Sequence, residues 1–175
     1  MKDILKLHLE MWLKRYDKVP HMLYLNRDSF DDLFNKVDVF VNKLGQKLHY
    51  YIFQSTKFPK DEVILFLCGI GPGHCSYMRE INQLCQRGYK VLTFDYTGCG
   101  DSEGERFPSA FQPTSDAMEL LDYLQINREI IVVGHSFGGF TALNILNLRK
   151  EIKKGIILSG FYSASQFLKD GYKKD

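Results

Sequence analysis

No apolar run in this sequence is long enough to cross a membrane. The longest extends from Val63 to Cys68, against the roughly 20 residues that a spanning helix needs. Nor does charge lean to one sign: 23 lysines and arginines face 21 aspartates and glutamates, for a formal charge of +2. Such a balance makes no field able to gather nucleic acid or an anionic membrane surface. The four cysteines, Cys68, Cys75, Cys85 and Cys99, form neither a CxxC metal or redox motif nor the dense spacing of a disulfide framework, and are expected as free thiols. In MKDILKLHLEMWLKRYDK, lysine, aspartate and glutamate interrupt every apolar stretch, so no secretory h-region can be drawn. A cytoplasmic protein without a membrane span is the expectation.

What is present is ordinary globular composition, 45% hydrophobic and 25% charged over 175 residues, enough to bury a core. Leu5, Leu9, Trp12 and Tyr16 recur at helical spacing ahead of Pro20, a stripe suited to core packing. Residues 1–35 are therefore read as a helical preface and 36–175 as the domain proper. Val37, Val39 and Val41 alternate with Asp38 and Phe40, and after Leu44-Gly45-Gln46 residues 48–53 continue in strand-forming types, which predicts an antiparallel hairpin. From Glu62 onward, short apolar runs at 63–68, 90–94, 129–133 and 155–159 have the character of buried parallel strands. Between them, 77–87, 115–124 and 137–148 space apolar residues as crossover helices do. The expected fold is α/β, a three-layer sandwich in which an N-terminal hairpin leads into a mostly parallel sheet.

Three loops of this pattern carry chemical signals. Gly134-His135-Ser136-Phe137-Gly138-Gly139 follows directly on the run at 129–133 and opens the segment 137–148, which is the strand, sharp turn and helix of a nucleophile elbow. Side chains at its flanking glycines would collide in a turn tight enough to lift a hydroxyl above the strand ends. The helix start beneath it favours developing negative charge. The bland alternative is a glycine-rich turn with an incidental serine. Upstream, Cys68-Gly69-Ile70-Gly71-Pro72-Gly73-His74 reads alone as a turn. Ahead of an elbow it is where a second oxyanion donor belongs, with the Ile70 N–H the candidate beside the Phe137 N–H. The third segment, Phe94-Asp95-Tyr96-Thr97-Gly98-Cys99-Gly100-Asp101-Ser102-Glu103-Gly104-Glu105-Arg106, is explained as a polar loop by turn formation.

In this order and spacing the three segments resemble the α/β-hydrolase superfamily, particularly its monoglyceride-lipase and serine-aminopeptidase-like branch, over roughly residues 36–160. Two departures stand out: Cys68 occupies the place where that branch usually has histidine, and Pro72-Gly73 lengthens the loop before His74. The resemblance implies that Ser136 is the nucleophile and that Phe137 and Ile70 supply the oxyanion N–H groups. It also implies a serine hydrolase acting on small carboxylic esters, of the monoacylglycerol or lysolipid kind, without a metal or organic cofactor. In the family an acid and then a histidine follow the serine. Here His8, His21, His49, His74 and His135 all precede Ser136, so the family's acid and base positions have no counterpart in this sequence. His135 is expected to point away from the nucleophile and pack, His74 reads as a loop residue, and Asp170 sits in a tail read as a solvated end. The fold is thus expected to be incomplete after its sixth strand. Its exposed edge, Ile156, Ile157 and Leu158, invites self-association. The alternative function is a non-catalytic binding or assembly protein that keeps the same fold.

Overall fold

A computed structural model describes Lys6, Glu10 and residues 14–19, 22–105, 107–152 and 154–171, with 168–171 described by backbone alone. Leu5, Leu9 and Trp12 of the N-terminal stripe, and Arg106 of the third loop, lie outside the described residues. Tyr16, the stripe's fourth member, forms a parallel bridge with Cys99. The hairpin begins earlier than the valine alternation suggests: β1 (Leu33–Val41) pairs antiparallel with β2 (Lys47–Ser55), Phe40 opposite Leu48. Gly45, at φ 76°, makes the turn between them, a conformation glycine adopts without steric cost. On β1 Leu33 and Phe40 are buried, whereas Val37 and Val41 face solvent.

The strands β3 (Val63–Leu67), β4 (Lys90–Phe94), β5 (Ile131–His135) and β6 (Lys154–Leu158) complete a sheet ordered β1-β2-β4-β3-β5-β6. β3 is parallel to both β4 and β5, and β5 to β6. All five residues of β3 are buried, as a strand with helices on both faces must be. Successive side chains point to opposite faces. Accordingly Val63, Leu65 and Leu67 join one core with helices α2 (Gln112–Tyr123) and α3 (Phe137–Leu148), through Leu120, Leu121, Ala142 and Ile145. Ile64 and Phe66 join a second core with Met78, Ile81 and Cys85 of α1 (Met78–Gln86).

From β3 the chain runs through α1 to β4 on one side, then back through α2 to β5 on the other. That reversal opens a crevice at the carboxyl ends of β3 and β5, where open α/β sheets bind ligands. Gly69 and Ile70 leave β3 there, and Ser136 leaves β5. Beyond β6 a further helix, α4 (Ala164–Gly171), takes up part of the segment expected to be a solvated tail, Asp170 included. β6 is the sheet edge among the described residues, with Ile156 and Leu158 exposed.

Candidate active site

Ser136 sits at the N-cap of α3 with φ 53° and ψ −116°. Few non-glycine residues adopt such a backbone, at a cost of about 1–3 kcal/mol that surrounding structure must offset. Hydrogen bonds fasten it from both directions. Its N–H donates to the Leu158 carbonyl of β6 at 2.8 Å, and its own carbonyl accepts the N–H groups of Gly139 and Phe140 at 2.9 and 3.2 Å. The glycines on either side are required by space. A Cβ on Gly134 would strike the Gly138 carbonyl, and one on Gly138 would strike the Leu67 and Cys68 carbonyls. The first turn of α3 therefore lies directly on the end of β3, which brings Ser136 over the crevice.

A cavity of about 290 Å³ opens at this point, lined by Ser136 and Phe137, by Gly69 and Ile70 of the loop after β3, and by Tyr16, Tyr77, His135 and Phe167. The three residues singled out from sequence, Ser136, Phe137 and Ile70, are thus brought to one cavity. No described acceptor takes the Ile70 N–H. Behind Phe137 its ring stacks on Phe107 at 5.8 Å and meets Phe161 edge-on at 5.9 Å, and Phe161 stacks on Phe167 at 4.6 Å. One wall is therefore aromatic.

Sequence reasoning missed several residues of this site. The His135 ring packs against that of Tyr77 at 5.7 Å, as expected, and the residue also lines the Ser136 cavity, with Nδ1 2.9 Å from the Tyr77 hydroxyl. The same hydroxyl accepts the Gly69 N–H at 2.9 Å. Its contact with Nδ1 of His135 is a hydrogen bond whose direction the imidazole tautomer sets. Tyr77 thereby ties the loop after β3 to the elbow. Burial raises the Tyr77 pKa, so it stays protonated at neutral pH. An aromatic residue leading the segment 77–87 gave no signal of this role, and Tyr16 and Phe167 reach the cavity from sequence-distant segments.

His74 lines a different cavity, of about 280 Å³, together with Lys18, Tyr51 and Asp101. Its backbone N–H and Nδ1 lie 2.8 and 3.0 Å from Asp95 Oδ1, and the Tyr51 ring stacks on it at 3.6 Å. Asp95 has no exposed surface, and its other oxygen accepts from the Tyr51 hydroxyl at 3.3 Å and the Asp101 N–H at 3.0 Å. Cβ atoms on Gly73 (φ 88°) and Gly100 (φ 51°) would both strike this carboxylate. Asp95 is thus the post around which the second and third loops wrap, and the added Pro72-Gly73 belongs to that wrapping. Cys68, at the departure from the histidine pattern, is buried with Thr93 Oγ1 3.7 Å from its sulfur. Burial raises the thiols, Cys75 to about 11 and Cys85 and Cys99 to about 12. They stay protonated at neutral pH and do not compete as nucleophiles. Among the described residues no group of histidine, cysteine, aspartate and glutamate is assembled to hold a metal ion, and no helix is long and apolar enough to cross a membrane.

A doubly covered sheet in this strand order, with a strained serine between β5 and α3 above the crevice, defines an α/β-hydrolase fold. The family model for serine aminopeptidase, S33, matches residues 59–166, and the chain belongs to that family. It is 30% identical over 131 residues to a proline iminopeptidase of Clostridioides difficile, covering 72% of this chain and 44% of that protein. To the lysophosphatidylserine lipase ABHD12 of Xenopus tropicalis it is 34% identical over 110 residues, covering 58% and 27%. The Pyrococcus furiosus esterase Pf2001 superposes with a TM-score of 0.70 at 21% identity, over 93% of this chain and 63% of that one. The chain spans less than half the length of these two curated relatives.

Proposed function

We propose that Ser136 is the nucleophile of a serine hydrolase acting on carboxylic esters, the class that includes monoacylglycerols and lysolipids. The observation that carries this reading is the strained backbone of Ser136 at the mouth of a cavity it shares with Ile70 and Phe137. Strain of this kind persists where surrounding structure overdetermines it, and it clusters at active sites. In the proposed reaction Ser136 Oγ bonds to the ester carbonyl carbon while its proton passes to a general base. The carbonyl oxygen, now an anion, accepts hydrogen bonds from the Phe137 and Ile70 N–H groups. Collapse of this intermediate breaks the carbon–oxygen bond to the alcohol, which leaves with the base's proton. Water then adds to the acyl-enzyme by the same route and releases the acid.

A second reading, a site that holds ester-like ligands without turning them over, is favoured by the state of His135. It is the described histidine that lines the cavity, and its Nδ1 is already engaged with the Tyr77 hydroxyl. A fluorophosphonate probe separates the two, because it reacts only with an activated serine. Rapid labelling that Ser136→Ala abolishes, with the fold intact by circular dichroism, is expected for the hydrolase. Labelling of wild type no faster than of the Ala variant would leave the binding reading.

A further inference from the structure

Residues 14–18 lie outside the segment 59–166 that the family model matches, yet they are laced to the third loop. The Tyr16 N–H donates to the Gly98 carbonyl at 2.8 Å, and the Gly100 N–H donates to the Tyr16 carbonyl at 2.9 Å. Next to it, Arg15 Nη1 donates to the carbonyls of Ser102 and Gly104 at 2.9 and 2.7 Å, and Nη2 donates to that of Gly100 at 3.0 Å. These three carbonyls converge on one guanidinium because the loop is folded by turns, with the Cys99 N–H donating to the Tyr96 carbonyl and the Ser102 N–H to that of Cys99. Gly98, Gly100 and Gly104 hold positive φ angles of 74°, 51° and 111°, which shape the loop into a cup that fits one guanidinium fork. Lys18 closes the far end, with Nζ 3.0 Å from both oxygens of Asp101.

What this lacing positions is the Tyr16 ring. It lines the Ser136 cavity on one side, and on the other its centroid lies 6.4 Å from that of Phe107, a residue of the buried core. The ring therefore stands between the cavity and the aromatic core behind it. At about 290 Å³ the cavity lies at the lower limit of those that hold drug-sized ligands.

We propose that residues 14–18 form a strap, clamped through Arg15 to the third loop, that seats Tyr16 as the wall limiting the acyl group admitted beside Ser136 to a short chain. The inference rests on the reading of Ser136 as the centre of an ester site, and within the carboxylic esters it selects those of short acyl groups over long-chain monoacylglycerols and lysolipids. With the ring removed, the cavity opens toward Phe107 and takes a longer apolar chain. Each methylene that gains or loses a place in an apolar pocket changes binding severalfold.

The test uses methyl ketones, which resemble esters and are not hydrolysed, so it does not depend on a reactive serine. The full chain, ¹⁵N-labelled, is titrated with 2-pentanone and with 2-undecanone, and the amide shifts of Ile70 and Phe137 give each dissociation constant. Wild type is expected to prefer the short ketone by about tenfold. Tyr16→Ala and Tyr16→Leu are expected to bring the ratio to one or reverse it. Arg15→Ala, which unclamps the strap, moves it the same way, while Tyr16→Phe, which keeps the ring, retains the short-chain preference. Two substitutions at Tyr16 and one at Arg15 keep the test open should one variant not fold. An unchanged ratio in the folded variants, no preference in wild type, or no shift with either ketone overturns the proposal. Intact short-chain selectivity in a protein that fluorophosphonate does not label sustains the strap and overturns only the nucleophilic role of Ser136.

Discussion

The loops that meet above the sheet are held by opposite means. Around Asp95 the backbone is held by saturation: one buried carboxylate accepts from His74, Tyr51 and Asp101, and its own carbonyl accepts the Ser102 hydroxyl at 2.6 Å. Around Ser136 it is held by contact, with the first turn of α3 pressed on the end of β3 because Gly134 and Gly138 have no side chains. The first arrangement fails when a group is taken away, since stranded buried donors cost free energy. The second fails when a group is added. This contrast also separates strain from support. The glycines around Asp95 absorb the unusual φ angles, whereas at the elbow the serine itself carries them.

Subtraction at Asp95 is expected to have the largest effect on stability. Asp95→Ala strands donors on two loops and removes the acceptor of a buried histidine, for an expected loss of about 3–5 kcal/mol. Urea denaturation measures it, and a loss under about 1 kcal/mol would show that the loops are held elsewhere. Addition at Gly138 comes next. Gly138→Ala forces a methyl group against the backbone of the central strand, with an expected cost of about 1–3 kcal/mol by the same measurement and slower Ser136 labelling. A variant as stable and as reactive as wild type would remove steric contact as the basis of the elbow.

The smallest effect should come from Tyr77, the tie between the two regions. Tyr77→Phe keeps the ring but releases both the Gly69 N–H and His135. Because Gly69 adjoins the Ile70 donor, the rate of fluorophosphonate labelling should fall about tenfold while ketone affinity changes little. Gly69→Pro, which deletes the same N–H, should act in the same direction. A drop in affinity with the labelling rate preserved would make Tyr77 a ligand contact instead.

The parts of this molecule that depend on local chemistry were legible in the sequence. Strand β4 and helix α3 fall at the residues predicted, because an apolar run and a three-to-four spacing are each complete within their own segment. Boundaries moved where neighbours decide them. β5 begins at Ile131 rather than Glu129 because its pairing with β3 begins opposite Ile64. α2 starts at Gln112 because Pro113 is tolerated in a first helical turn, where its missing N–H has no intrahelical partner to lose. α4 was missed within a segment whose lysines, glycine and aspartates suggested a solvated tail. Within the site, Ser136, Phe137 and Ile70 are marked by motif spacing. Tyr16, Tyr77 and Phe167 are not, because the topology rather than any local pattern brings them to the cavity. The hydrogen bond between His135 and Tyr77 has no local signal either, because the two lie far apart along the chain.

The fastening of Ser136 to Leu158 has a consequence for how the molecule assembles. Val41 pairs with Lys47 across a short turn, but Ile64 pairs with Ile131, and the elbow needs β6 in place as well. Closing long loops slows folding, because their entropy must be lost before the contacts form. The hairpin is therefore expected to form early and the elbow late, with the unusual serine backbone reached only once β5 is enclosed between β3 and β6. Pulse-labelled amide exchange during refolding should protect Tyr50 and Ile52, whose backbone groups face β1, before Val132 and Val133. The reverse order would place the elbow in the folding nucleus.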